Sequence, residues 1–276
     1  MASHSSRFNF ESGKNEPGKE RVGPAEDGGY VINPVISSQT THLVSLGIGG
    51  DERFELDFVS RYGSKVVMVD PGYAPDTQTD WAEETLRLSG KAIPDSPLSD
   101  SNSKDGTHKF SEIIQRVKLE CGPTTPSITL KIDIEWDEWD LLASISQEDW
   151  ATVDQLIVEF HFIPVEQHKQ LSPYFTGFFE SVYGKLNEEV WQKYLSVLNA
   201  LRKNFFVLHV HANNSLPTHN LFVQRLPYLL EVTWLSHAAL KKLRSSDQSQ
   251  YNQTDQLDFR NKSDRPDVGL MDWDQK

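Results

Sequence analysis

The stretch Ile128-Thr-Leu-Lys-Ile-Asp-Ile-Glu135-Trp-Asp-Glu-Trp139 decides the fold. It begins as an apolar, β-branched run and ends in two carboxylates, Asp133 and Glu135, just before a helix start. Successive side chains in a strand alternate faces, so Asp133 and Glu135 point one way and Ile134 the other. Acids at Glu135, Asp137 and Glu138 suit the positive end of a helix dipole. Asp133 still lies in the strand, and the helix does not account for it. A second strand, Leu156-Ile-Val-Glu159-Phe-His161, closes on a polar pair of the same spacing. Apolar strands with polar ends mark the site of an open parallel sheet, which lies outside its carboxyl ends.

Working outward, apolar strands alternate with amphipathic helices. Strands are predicted at 42–46, 65–70, 128–134, 155–163, 205–211 and 229–235, with a short one at 91–93. Helices are predicted at 51–62, 79–89, 110–119, 137–149 and 187–203. The alternation implies an α/β fold, a mostly parallel sheet with right-handed crossovers and helices on both faces. No helix-length pattern separates the last two strands, so they form an antiparallel hairpin at the sheet edge. Residues 1–19 read as a flexible arm, 20–244 as one domain, and 245–276 as a disordered polar tail.

Composition narrows the function. The net charge of −13 argues against nucleic acid as a partner, because phosphate affinity comes from clustered Lys and Arg. It equally disfavours anionic lipid. The single cysteine, Cys121, excludes an internal disulfide and a Cys-based metal cage. No run is long and apolar enough to span a membrane, and Met1-Ala-Ser-His-Ser-Ser lacks the apolar core of a secretory signal. The expected location is cytoplasmic. Composition leaves the oligomeric state open.

Gly47-Ile-Gly49-Gly50 sits between the first strand and its helix, where glycines permit a tight turn and close approach of backbone to ligand. Asp70 ends the next strand, where an acid reaches a ribose diol. Glu52 stands where the dinucleotide pattern Gly-x-Gly-x-x-Gly needs its last glycine, so a nucleoside without a pyrophosphate fits better. Asp27-Gly28-Gly29-Tyr30, taken by itself, is an ordinary hairpin turn. His209 and His211 alternate with Val210 and share a face; with Asn213, Asn214, His161 and the two acids they form a polar cluster.

These motifs together carry a resemblance. Arg21-x-Gly23 with Asp27-Gly-Gly-Tyr-Val31, Ser45-Leu-Gly-Ile-Gly49, Val69-Asp-Pro71, Leu130-Lys-Ile-Asp-Ile-Glu135, Val158-Glu-Phe-His161, His211-Ala-Asn-Asn214 and Leu230-Glu-Val-Thr233 resemble the FkbM-type methyltransferases, in the family's order and over residues 20–236. The chain departs from that pattern at Trp136, where the family usually has Gly, and at Ser45, where many such enzymes carry an acid. The resemblance implies a Rossmann-like class I methyltransferase with a seven-stranded sheet that uses S-adenosyl-L-methionine. Gly47, Gly49, Gly50, Asp70, Asp27 and Tyr30 would hold the cofactor. Asp133, Glu159 and His161 would serve the transfer, with a sugar or natural-product hydroxyl as acceptor. A hydroxyl needs a base or a cation to remove its proton, so Mg or Mn on Asp133, Glu135, His161 and His211 is part of this expectation.

Two other classes stay open. The Asp/Glu/His cluster also suits a divalent-metal hydrolase, although such an enzyme has no use for a ribose-binding acid. Trp136 and Ser45 keep open a non-catalytic binding scaffold.

Overall fold

The computed structural model describes residues 18–72, 85–95, 106–162, 192–221, 224–245 and 257–264. The expected arm up to residue 17, the expected helix at 79–84, most of the loops at 72–80, 94–108 and 164–186, and much of the tail lie outside these residues.

In chain order the elements are β1 (Glu20–Val22), β2 (Tyr30–Ile32), α1 (Pro34–Ser37), β3 (His42–Leu46), α2 (Arg53–Tyr62), β4 (Lys65–Asp70), β5 (Thr85–Ser89) and β6 (Lys91–Ile93). They continue with β7 (Thr107–Lys109), α3 (Phe110–Cys121), β8 (Ile128–Ile132), α4 (Glu138–Ser144), α5 (Gln147–Trp150) and β9 (Val153–His161). A helix at 192–204, α6, leads into β10 (Phe205–Leu221), β11 (Gln224–Ser236) and α7 (His237–Ser245).

Seven strands form the main sheet in the order β10-β11-β9-β8-β3-β4-β5. The expectation of a mostly parallel, Rossmann-like sheet with an antiparallel pair at its margin is corrected by the ladders. β5-β4-β3-β8-β9 pair in parallel, but β11 lies between β9 and β10 and runs antiparallel to both. The sheet is therefore mixed, and one whole side of it is antiparallel. The cause lies in the connections. Only 222–223 separate β10 from β11, whereas a parallel return needs a crossover of roughly a dozen residues or more. The helix expected at 79–89 is also corrected, for at 85–89 the chain forms β5, parallel to β4. Thr85-Leu-Arg-Leu has the period of two that belongs to a strand. The helix expected at 137–149 is broken, because Ile145 is extended and Ser146 caps a new helix by accepting the Asp149 amide at 3.1 Å.

Both faces of the sheet are covered. On one, Val44, Leu46, Val67, Val69, Leu130, Ile132, Leu156 and Val158 pack with Ile113, Ile114 and Val117 of α3 and with Trp139 and Tyr194. On the other, Leu43, Val66, Met68 and Ile157 meet Phe54 and Phe58 of α2. Fully burying a side chain such as Phe54 stabilises the fold by about 1.5–3 kcal/mol. Among the described residues no helix is long and apolar enough to cross a membrane.

The chain steps from β3 to β4 and β5 on one side, then returns to build β8 and β9 on the other. That reversal opens a crevice between the carboxyl ends of β3 and β8, where ligands bind in open sheets.

Candidate functional site

A cavity of about 710 Å3 occupies this crevice, lined among others by Tyr30, Gly49, Lys131, Asp133, Glu159 and His161. Strand register explains why ionisable groups converge there. Glu159 of β9 pairs with Glu231 of β11, and Glu231 pairs with His211 of β10. Ile132 of β8 pairs with Val158, so the next residue, Asp133, comes level with Glu159. Asp133, Glu159, Glu231 and His211 thus form one row across four strands.

The row is wired to its surroundings. Tyr30 donates its hydroxyl to Asp133 Oδ2 at 3.1 Å. Asn213 donates to Glu159 and Glu231, each at 3.2 Å, and to Asp27 at 3.3 Å. His211 Nδ1 lies 3.1 Å from Glu231 Oε2. One ligand atom from each of Asp133, Glu159 and His161 falls within 4.8 Å of the others. Burial, then the neighbouring Asp133 and Glu231 carboxylates, push the Glu159 carboxyl well above its usual range. Burial also raises Asp133, against the pull of Lys131 and His161. Burial works against charge on His161, yet Glu135 and Glu138 outweigh it and hold the imidazole well above its ordinary value.

The glycine loop is set by backbone demands. Gly47 has φ +80, and a Cβ there would meet Asp133 O at 1.7 Å. Gly49 and Gly50 are also left-handed, but a Cβ on either would meet nothing within 4 Å. Asp70 accepts from Ile48 N at 2.7 Å, Gly49 N at 3.0 Å and Gly72 N at 2.6 Å. It therefore clamps the loop from behind and does not line the cavity. Lys131, on the same face as Asp133 and Glu159, donates to Gly47 O at 2.8 Å and pairs with the buried Glu55 at 3.4 Å. Ser45 donates to the same Glu55 oxygen at 2.5 Å. A fully buried acid, Glu55, therefore stands beside Ser45 and Lys131.

Asp27 lies in the turn between β1 and β2, an antiparallel hairpin. Arg21 braces this turn by donating to Pro24 O and Glu26 O. Glu135 is exposed and pairs with His161 Nε2 at 3.3 Å. His211 belongs with Glu231, at the far end of the row from Asp133.

Several site residues lay outside the sequence reading. Glu138, fully buried, accepts the amides of Trp136 and His161, each at 2.7 Å, and sits 3.3 Å from His161 Nδ1. Its signal was there, read only as helix-terminal charge. Trp136 has φ +87 and Glu135 φ +52, a region costly for side chains other than glycine. Residues 257–264, inside the expected tail, cross the cavity mouth: Asn261, only 3% exposed, donates to Glu231 at 2.7 Å and Asp27 at 3.0 Å. Nothing local in Asp-Phe-Arg-Asn-Lys marks it.

No family model matches the chain, so the FkbM-type resemblance rests on its motif residues. No curated protein matches either. Among solved structures, the chain is similar to a "putative hemolysin" from Lactococcus lactis, at 11% identity and TM-score 0.33 over 73% of this chain and 81% of that one. It is also similar to a single-site mutant of the 16S rRNA (adenine(1408)-N(1))-methyltransferase from Catenulisporales acidiphilia, at 13% identity and TM-score 0.29 over 79% of this chain and 98% of that one. Likenesses this distant carry no functional argument.

Proposed function

We propose that the protein is an S-adenosylmethionine-dependent methyltransferase acting on a hydroxyl of a sugar or natural product. The observation that carries the reading is the shared cavity: the left-handed glycine loop forms one wall, and the Asp133, Glu159 and His161 cluster forms the other.

The residues fit such a cofactor. Open space in front of Gly49 and Gly50 allows close approach of a nucleoside. Asp70 accepts three amide hydrogens and so fixes the loop against which the nucleoside would lie. When bound, S-adenosylmethionine supplies a methyl group activated by its positive sulfur. The protein's part is to orient the acceptor, exclude water and take up the hydroxyl proton as the new O–C bond forms. Asp133, Glu159 and His161 face the cavity together and supply the groups that would take that proton.

Calorimetry with S-adenosylmethionine and its demethylated product tests the first half of this reading. Transfer of labelled methyl to a library of polyols and glycosides tests the second. Absence of binding at millimolar cofactor would sink it.

A further inference from the structure

We propose that Asp133, Glu159 and His161 form a binding site for a divalent cation of the manganese class, with Glu138 orienting the histidine. This goes beyond the methyltransferase reading, since cation binding needs no cofactor.

The geometry has the right scale. Oxygen and nitrogen ligands at about 2.2 Å from an ion lie roughly 3–4.4 Å from one another, and these three donors fall within 4.8 Å before any ion draws them in. The donor atoms are also available. Tyr30 occupies one oxygen of Asp133 and Asn213 one oxygen of Glu159, while the second oxygen of each has no donor among the described residues. One imidazole with two carboxylates is a mixed N/O set that suits manganese, iron or zinc and leaves coordination positions for substrate.

The surroundings are those of a metal-bound histidine. Glu138, fully buried, lies 3.3 Å from His161 Nδ1, close enough to pair though not aligned as a hydrogen bond, and it accepts the His161 amide. This directs Nε2 toward the cavity, where among the described residues it meets the exposed Glu135. A carboxylate behind a ligating imidazole is the usual outer partner of such sites. A separate observation points into the same cavity. Asn261 is 97% buried and lines the wall, and its Oδ1 has no donor among the described residues. Its Nδ2 is committed to Asp27 and Glu231, so the amide cannot flip to relieve this. A water held in the cavity would supply the missing hydrogen. Finally, Asp27, Asp133, Glu159 and Glu231 are four neighbouring carboxylates, and the buried Lys131 beside them is already engaged by Glu55 and Gly47.

The test uses the full chain, treated with chelator and then titrated with manganese chloride alone. Loss of the six-line resonance of free manganese, paralleled by calorimetry, should show one ion bound per chain. Asp133→Asn and Glu159→Gln should each weaken binding at least tenfold, Glu138→Gln by about 10–100-fold, and His209→Gln should leave it unchanged. If Glu138→Gln does not fold by circular dichroism, the two variants that preserve side-chain shape decide the matter. No manganese uptake at millimolar concentration overturns the proposal. So does uptake unaffected by both Asp133→Asn and Glu159→Gln. Cofactor calorimetry on the same samples separates the two readings, because manganese binding without cofactor binding removes only the methyltransferase.

Discussion

Glu138 Oε1 accepts the backbone amide of His161 at 2.7 Å and lies 3.3 Å from the Nδ1 of the same residue. One carboxylate, fully buried at the start of α4, therefore ties the end of β9 to the turn that follows β8. Its other oxygen holds Trp136 N, the amide of a residue with φ +87. Glu138→Ala would leave two buried donors unmet, at about 1–3 kcal/mol each. Urea titration should show a loss of roughly 3–5 kcal/mol. A loss below about 1 kcal/mol would mean water replaces the carboxylate without cost.

The glycine loop separates structural from ligand-facing positions. At Gly47 a Cβ would strike Asp133 O, so Gly47→Ala should cost more than about 3 kcal/mol. At Gly49 the added carbon has space, and only the left-handed backbone opposes it, at about 1–2 kcal/mol. Gly49→Ala should fold and yet weaken cofactor binding. Equal melting temperatures for the two variants would contradict this geometry.

Asp70→Ala removes the acceptor of three loop amides. Those amides are buried or half-buried and lose their acceptor, so a stability loss of about 2–4 kcal/mol is expected. Cofactor binding should fall with it. Calorimetry on Asp70→Asn, which keeps one acceptor oxygen, should give an intermediate affinity.

Stability should fall as pH rises. Glu159 and Asp133 are held above the usual carboxylate range, and His161 and His211 above the usual imidazole range. A group with a raised pKa in the folded state binds its proton more tightly there than in the unfolded chain. Its contribution is complete below the unfolded pKa and is lost as pH climbs through the folded one. The loss begins near pH ~4 for the acids and near pH ~6.5 for the histidines. Urea midpoints should decline from about pH 5.5 to about 8.5, and Glu159→Gln should flatten the slope. A midpoint that rises over this interval would refute the assignment.

The segment 257–264 is held at several points. Asp258 pairs with His209 at 2.8 Å, Asn214 exchanges two hydrogen bonds with the Lys262 backbone, and Arg21 donates to Leu257 O. Ending the chain at 245 should strip Asp27 and Glu231 of the Asn261 amide. The melting temperature should drop by several degrees, where a loose tail would leave it unchanged. Asn261→Ala alone should reproduce about 1–3 kcal/mol of that loss.

Local pattern reached far in this chain. The apolar runs at 42–46, 65–70 and 128–134 became parallel strands, the last ending at Ile132, and Phe110, Ile113, Ile114 and Val117 became the buried stripe of α3. The polar ends of β8 and β9 were legible for the same reason, since alternation is a property of neighbouring residues. How far the antiparallel part reaches into the sheet was not. Whether β11 enters beside β9 or at the outer edge depends on which ladder its backbone joins, and both strands carry the same apolar alternation.

The sequence by itself therefore determined the strands, the helix stripes and the identity of the acids at the strand ends, because periodicity and turn chemistry act over a few residues. Only the tertiary structure decided which of those acids meet. Register aligned Glu231 with Glu159, burial made Glu138 the partner of His161, and chain return laid Asn261 over Asp27. Each of these contacts joins residues far apart in the chain. Their free energy comes from pairing polar groups withdrawn from water, a circumstance that exists only once the core has closed around them.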